Sequence, residues 1–347
     1  MKKSLIFKKN RLYYLNQVLL PHKERYEECR GLSDGFMAIK KLKVRGAPLI
    51  GVFSAYCVYV AVRDLKTENK DTFFRHLKKA VSHLKNARPT AVNLSWAVER
   101  VYNAAIRNRN EDIRKIKEII LKEAKSIHRE DIQLCSSIAK NGIKLIKKGD
   151  TILTHCNTGF LATSGDGTAL GIIYAAAKKG KNIKVYACEA RPLLQGARLT
   201  SWELKERKIN SILICDDMAA YLMQQKKIDK VFVGADRIAR NGDTANKIGT
   251  YNLAVLANYH KIPFYVVSPS TSFDLNIERG EDIPIEERAP SEVRVILGKL
   301  TVAPKVRVYN PAFDVTPHRL ISAIVTDRGI IYPSFKKSIR NLLKKRF

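Results

Sequence analysis

The sequence predicts an α/β chain: a helical N-terminal domain over residues 1–140, followed over residues 141–347 by a domain with a doubly wound, mainly parallel sheet. Three observations predict it. The chain has 347 residues, too many for one small core. Apolar residues recur every three or four positions over 72–86, 91–108 and 112–140, the period of amphipathic helices. After Lys148-Gly149-Asp150 the pattern changes to short apolar runs separated by helical stretches.

In order along the chain, Met1–Lys8 holds an apolar run too short for a secretory leader. The stretch Pro48–Val62 is apolar, but Arg45 and Arg63 bound it below membrane-spanning length, so it reads as a buried helix. The candidate strands of the second half are Thr151–His155, Ile183–Ala187, Ser211–Cys215, Val231–Val233 and Phe264–Val267. Between them lie helical stretches such as Thr168–Lys178 and Thr244–His260. Strand–helix alternation of this kind makes a Rossmann-like sheet, whose ligands sit outside the carboxyl ends of the strands. Ile339, Leu342 and Leu343 fall at helical spacing in the basic tail, which reads as an amphipathic terminal helix.

The formal net charge of +30 invites a nucleic-acid reading. Yet Lys and Arg are spread along the whole chain, with no basic block interleaved with aromatics, so no specific nucleic-acid partner is expected. The charge reads mainly as a lysine-rich composition without specific meaning, with weak non-specific RNA contact or attraction of anionic substrates as the alternatives. The six cysteines are scattered, with no CxxC pair and no zinc-like spacing; this argues for a reducing cytoplasm and against a metal site.

Two polar, glycine-containing segments follow candidate strands. In Thr154-His155-Cys156-Asn157-Thr158-Gly159 the chain leaves a strand and loops toward a helix, whose N-terminal N–H groups attract anions and activate a thiol. A packed core cysteine is the alternative. In Gly234-Ala235-Asp236-Arg237 an acid follows a buried apolar strand; that placement suits catalysis, a helix cap or an ion pair with Arg237. Asn241-Gly242-Asp243 marks a turn, with Asp243 or Thr244 as cap of the next helix and Lys247 in its first turn. A cation there serves a ligand anion or pairs with Asp243. Arg191, Gln195 and Arg198 suit phosphate and hydroxyl contacts, or a domain interface. Arg45-Gly46-Ala47-Pro48 and Arg88-Pro89-Thr90 each set an arginine before a helix start, for a phosphate or as solvated turn residues. Neither the G-x-G-x-x-G fingerprint at its proper place nor the P-loop is present, so nucleotide binding is unsupported.

Taken together and in order, these segments resemble the methylthioribose-1-phosphate isomerase family. That family is grouped with ribose-1,5-bisphosphate isomerases and with regulatory subunits of a translation-initiation exchange factor. The likeness runs from about Lys43 to about Pro333. It takes in Arg191-Pro192, Gln195-Gly196-Ala197-Arg198-Leu199-Thr200, Asn246-Lys247-Ile248-Gly249-Thr250 and Asn310-Pro311-Ala312-Phe313-Asp314. Asp166 stands where the family often has Tyr, and Cys188-Glu189-Ala190 replaces its usual Asp-Glu-Thr. The resemblance implies an aldose–ketose isomerase acting on a sugar phosphate, with Cys156 and Asp236 catalytic. It also implies substrate contacts from Arg45, Gly46, Ala47, Arg88, Gln195, Asn246 and Lys247, a homodimer, and no metal or organic cofactor. On this reading Asp236 is the acid on the ring oxygen, and Cys156 is either a base or a transition-state stabiliser. A bisphosphate isomerase and a non-catalytic regulatory subunit are the alternatives.

Overall fold

The computed structural model describes residues 2–88, 92–296 and 298–344. Pro89 and Thr90 of the expected helix start, and the last residues of the basic tail, lie outside the described residues. The chain divides into two compact units, Met1–Cys135 with Phe160–Gly167 and Ser136–Gly159 with Thr168–Phe347.

The first unit is mainly helical, as expected, and adds a sheet that the sequence reading did not contain. It opens with a three-stranded antiparallel sheet of β1 (Leu5–Lys8), β2 (Arg11–Leu15) and β3 (Tyr26–Cys29). Lys9 and Asn10 both take positive φ between β1 and β2, the conformation of a two-residue hairpin turn. Lys-Asn is a poor advertisement for such a turn, and the strands are short and interspersed with charge. Helix α1 (Leu32–Lys40), which the sequence reading did not contain, is followed by α2 (Ala47–Arg63), α3 (Lys70–Lys85), α4 (Val92–Arg107) and α5 (Ile113–Gly142), near their expected bounds. Helix α2 is buried along nearly its whole length, as an evenly apolar helix must be. At Gly51 it meets α4 so closely that a Cβ would stand 2.9 Å from the Asn93 carbonyl oxygen. Phe53 of α2, Leu77 of α3 and Leu94 and Val98 of α4 belong to one buried core.

The second unit carries a seven-stranded sheet. Its strands are β4 (Thr151–Thr154), β5 (Lys184–Cys188), β6 (Ser211–Ile214), β7 (Lys230–Val233), β10 (Phe264–Val267), β15 (Ala323–Thr326) and β16 (Gly329–Ile331). The order is β16-β15-β10-β7-β4-β5-β6, parallel except for β16 at the edge. Chain order runs outward from β4 through β5 to β6, then returns to β7 and proceeds the other way. The topological switch point therefore lies between β4 and β7. Helices α6 (Ala169–Lys178), α7 (Ser201–Glu206), α8 (Met218–Gln224) and α9 (Thr250–Tyr259) connect these strands. Leu153, Val231, Val233 and Val266 build the core on one face, and Ile152, Val185 and Phe232 build it on the other.

A second, four-stranded sheet joins β8 (Arg237–Ala239), β9 (Thr244–Lys247), β11 (Phe273–Asp274) and β14 (Phe313–Thr316) in the order β11-β8-β9-β14. This corrects the reading of Thr244–His260 as one helix. Thr244–Lys247 is a strand, held by β8 on one side and β14 on the other. Asp243 does not cap a helix: its carboxylate accepts N–H bonds from Gly280 (3.0 Å) and His318 (2.8 Å). Helix α9 begins only at Thr250, after Gly249 with φ 98°. Its N-terminal N–H groups are satisfied by Asp314 of β14, which accepts from Gly249 (2.7 Å) and Tyr251 (3.1 Å). The remaining strands, β12 (Val295–Ile296) and β13 (Lys299–Leu300), form a small hairpin after α10 (Ser291–Arg294), and α11 (Phe335–Lys344) ends the described chain.

Candidate active site

Cys156 and Asp236 follow β4 and β7, the two adjacent parallel strands that flank the switch point, where α/β sheets bind their ligands. Register pairs Thr154 with Phe232, so the two loops leave the sheet side by side.

Cys156 is half-buried and takes φ 59°, a left-handed conformation that costs a non-glycine residue about 1–2 kcal/mol. A buried polar network holds it there. The Thr200 hydroxyl donates to the Cys156 carbonyl oxygen at 2.6 Å. The Asn157 amide donates to Glu203 Oε1 at 2.7 Å and to Thr200 Oγ1 at 3.1 Å. The Tyr174 hydroxyl donates to the other Glu203 oxygen at 2.8 Å. Glu203 is fully buried, and it sits so close to Gly159 that a Cβ there would lie 2.0 Å from its oxygen. His155 is buried too, its Nε2 bonded to the Ile248 carbonyl oxygen at 2.9 Å. The sequence reading missed Glu203, Thr200 and His155 as supports of this loop. A glutamate between Trp202 and Leu204 carries no local sign that it points inward.

Asp236 is half-buried and sits between β7 and β8, its backbone N–H donating to the Ala245 carbonyl oxygen at 2.9 Å. That bond sets Asp236 beside β9, which carries Asn246 and Lys247. Asn246 is buried and donates to Thr250 Oγ1 at 2.9 Å. A Cβ on Gly234 would lie 2.7 Å from Thr158 Cγ2 and 3.8 Å from Asn246 Oδ1, so the thiol loop, the aspartate loop and β9 meet at this glycine. Lys247 is buried, donates to the Ala312 carbonyl oxygen at 3.0 Å and stands 5.1 Å from the Phe313 ring centre. It is a strand residue, so the expected opposition to a helix dipole does not arise. Burial pushes the Asp314 carboxyl nearby up to about 6, against the N–H bonds of Tyr251 and Gly249 and the charge of Lys247.

Gln195 lies beyond the carboxyl end of β5, on the turn that leads to Thr200. Its Oε1 is buried and has no hydrogen-bond partner. A buried orphan acceptor of this kind calls for a donor such as a substrate hydroxyl. Arg191 spends donors on the Pro192 and Val293 carbonyl oxygens, and Arg198 donates to that of Leu193.

In the first unit, Arg45 is buried and Arg88 half-buried. Gly46 has φ 89° and abuts the Ala162 backbone, 2.6 Å from where its Cβ would be, so no other residue fits. Ala47 opens α2. Asp166 is exposed.

Residues 43–333 match the model of the initiation factor 2 subunit family. The chain is 54% identical over 330 residues to the methylthioribose-1-phosphate isomerase of Acetivibrio thermocellus, covering 95% of this chain and 96% of that one. It is 50% identical over 337 residues to a 5-deoxyribose 1-phosphate isomerase of Clostridium botulinum, with 97% of each covered. Among solved structures, 5-methylthioribose 1-phosphate isomerase from Pyrococcus horikoshii OT3 is similar with a TM-score of 0.94 and 42% identity, covering 100% of this chain and 97% of that one. The translation initiation factor eIF-2B subunit delta from A. fulgidus is similar with a TM-score of 0.89 and 42% identity, covering 99% and 100%. With that span matched, and with the mainly parallel sheet common to these structures, the chain belongs to the initiation factor 2 subunit family.

Proposed function

We propose that this chain is an aldose–ketose isomerase that converts 5-methylthioribose 1-phosphate to 5-methylthioribulose 1-phosphate in methionine salvage. One observation carries the reading: a thiol and a carboxyl follow the two strands that flank the switch point, with a buried amide and a buried ammonium on the strand beside the carboxyl. The relatives named as methylthioribose-1-phosphate and 5-deoxyribose 1-phosphate isomerases support the reaction class.

The substrate is a cyclic sugar whose anomeric carbon carries phosphate, so its ring must open. Asp236 gives a proton to the ring oxygen as the C1–O bond breaks. Hydrogen then moves from C2 to C1. As thiolate, Cys156 takes it from C2 as a proton and returns it at C1; if it moves as hydride, the thiolate stabilises the transition state instead. Either way the C2 hydroxyl gives its proton back to the Asp236 carboxylate as the C2 carbonyl forms. Gln195 accepts a bond from a sugar hydroxyl. Asn246 and Lys247, with the Arg45-Gly46-Ala47 turn and Arg88, bind the phosphate and sugar. No metal or organic cofactor is needed for these steps.

Purified protein given methylthioribose 1-phosphate should form the ketose phosphate, and Cys156→Ser and Asp236→Asn should each lose at least about a thousandfold in kcat while staying folded. Near-normal rates in both variants overturn the assignment. Deuterium taken from solvent at C1 marks proton transfer. Ribose 1,5-bisphosphate and 5-deoxyribose 1-phosphate as competing substrates fix the 5-substituent.

The similarity to the A. fulgidus protein favours a second reading, a regulatory subunit without catalysis. A protein inert toward all three sugar phosphates would support it. We read the active form as a cytoplasmic homodimer. Met218 and Tyr221 on α8 and Tyr251, Val255 and Tyr259 on the adjoining α9 are exposed apolar residues, suited to a second copy. Sedimentation of the wild type against Tyr259→Glu tests this. No described helix is long and apolar enough to cross a membrane, and all six thiols are free.

A further inference from the structure

Three consecutive strands of the large sheet each deliver one side chain to a common point at its carboxyl edge. His155 follows β4, Cys188 ends β5, and Asp216 follows β6. One donor atom from each lies within 4.8 Å of the others. His155 is 2% exposed. Its Nε2 faces the Ile248 carbonyl oxygen at 2.9 Å. A carbonyl only accepts, so that nitrogen carries the proton and Nδ1 keeps its lone pair. This Nδ1 is buried and has no hydrogen-bond partner. Asp216 Oδ1 stands 3.8 Å from it, beyond hydrogen-bond reach. A lone pair and a carboxylate oxygen thus stand 3.8 Å apart.

The other two groups are equally fixed. Asp216 accepts N–H bonds from Ala190 and Arg191, each at 2.8 Å, which aims its carboxylate. Cys188 is buried at the strand end. Asp216 and Asp217 lie close enough to Glu189 for their charges to repel, while Arg191 faces Glu189 and Lys247 faces His155 as the cations. In a chain of net charge +30 this is a local concentration of negative charge.

We propose that His155 Nδ1, Cys188 Sγ and the Asp216 carboxylate bind a borderline-soft divalent cation of the zinc class, with water in the fourth position. An imidazole that gives its other N–H to a backbone carbonyl is oriented as metal-bound histidines are. A mixed nitrogen, sulfur and oxygen set selects zinc or cobalt over magnesium or calcium, which take oxygen donors. Tetrahedral bonds of about 2.0–2.3 Å put ligand atoms about 3.3–3.8 Å apart. The His155–Asp216 separation of 3.8 Å already meets this. The widest separation in the set, within 4.8 Å, has to close by about 1 Å. As the sulfur–metal bond forms, the Cys188 proton leaves to solvent. Asp216 is partly exposed and gives the cation its way in. The ligands come from three separate strand ends, so no local spacing announces them.

His155 precedes Cys156, so on the isomerase reading an occupied site is inhibitory; binding itself does not depend on that reading. The experiment titrates metal-free, full-length protein with Co²⁺, following the thiolate-to-cobalt charge-transfer band, and measures bound Zn²⁺ by equilibrium dialysis. One equivalent is expected per chain. Cys188→Ala should abolish the charge-transfer band, and both Cys188→Ala and Asp216→Asn should weaken Zn²⁺ binding about tenfold or more. Cys156→Ser should leave both signals in place. If Cys188→Ala fails to fold, the partly exposed Asp216→Asn decides. Three results overturn the proposal: no stoichiometric binding, unchanged binding in Asp216→Asn, or loss of binding in Cys156→Ser, which would give the cation to the neighbouring thiol. The dialysis needs no turnover, so its failure is separate from failure of the isomerase assignment.

Discussion

The two loops at the switch point are held by different means. The loop after β4, which carries Cys156, is fixed by buried side chains: Asn157, Thr200, Tyr174 and Glu203 form a connected polar network beneath it. The loop after β7, which carries Asp236, is fixed by backbone: it runs straight into β8, and its N–H pairs with Ala245 of the neighbouring strand. The difference teaches where each loop is vulnerable. A network of buried polar groups is stable only when complete, because each orphaned group then costs its full desolvation. A loop clipped into a strand ladder tolerates side-chain loss. The thiol loop also stores strain at Cys156, with φ 59°, which the network has to hold.

The largest effect should come from removing the centre of that network. Glu203→Ala removes the acceptor of the Tyr174 hydroxyl and of one Asn157 amide hydrogen and leaves a cavity, at a cost of about 3–5 kcal/mol in urea denaturation. Asp236→Asn should cost less, about 1 kcal/mol, since the isosteric amide leaves the backbone bond to Ala245 in place. Activity should fall in both, but only the first should lose stability in proportion. Equal losses of stability would break the distinction between the loops.

A smaller effect tests how far the side-chain anchoring extends along the chain. The thiol loop continues into Phe160–Gly167, and there the Asp131 carboxylate accepts the Ser164 N–H at 2.6 Å. Burial pushes Asp131 up to about 6, although bonds from Ser164 oppose the shift. The unfolded side chain titrates near 3.9. Between about pH 4 and 6 the folded state therefore holds the extra proton, and stability falls as pH rises through that window. At pH 7.5 the buried charge is a net cost. Asp131→Asn keeps an acceptor for Ser164 and should gain about 2 kcal/mol over the wild type at pH 7.5, with the gap closing toward pH 4. Thermal melts across this range check the sign; a gap that widens on acidification would mean the carboxylate is stabilising.

Much of this was legible in the sequence because the large sheet is parallel and buried on both faces. Its strands read as continuous apolar runs, and β4, β5, β6, β7 and β10 fall within a residue or so of their expected bounds. The β15–β16 pair and the second sheet were not legible. Thr244-Ala245-Asn246-Lys247 has no strand alternation, and what makes it a strand is Phe313–Thr316, nearly seventy residues later in chain order. The same non-local pairing put Asp314, not Asp243, at the start of α9. The first sheet escaped for a different reason: its hairpin turn is Lys9-Asn10, and its strands carry as many charges as a loop. The placement of Cys156 and Asp236 after strand ends was legible, since a polar, glycine-containing stretch follows each apolar run. Glu203 was not, because a buried glutamate and an exposed one look alike until the tyrosine and asparagine that bind it are placed.

The smallest expected effect isolates the strain from the network. Thr200→Val keeps the shape of the side chain but removes the hydroxyl that donates to the Cys156 carbonyl oxygen at 2.6 Å and accepts from Asn157. Glu203 still binds Asn157, so global stability should fall by only about 1 kcal/mol. The left-handed backbone at Cys156 loses its direct restraint, however, and the thiol should wander from its productive orientation. The expected signature is a fall of about tenfold in kcat with KM nearly unchanged, restored by Thr200→Ser, which returns the hydroxyl. A parallel measurement of Cys156 alkylation, made in a Cys215→Ser background to silence the exposed thiol, should show faster, less selective modification in Thr200→Val. If kcat and alkylation both match the wild type, the hydroxyl is a packing group, and the β4 loop is held by Asn157 and Glu203 alone.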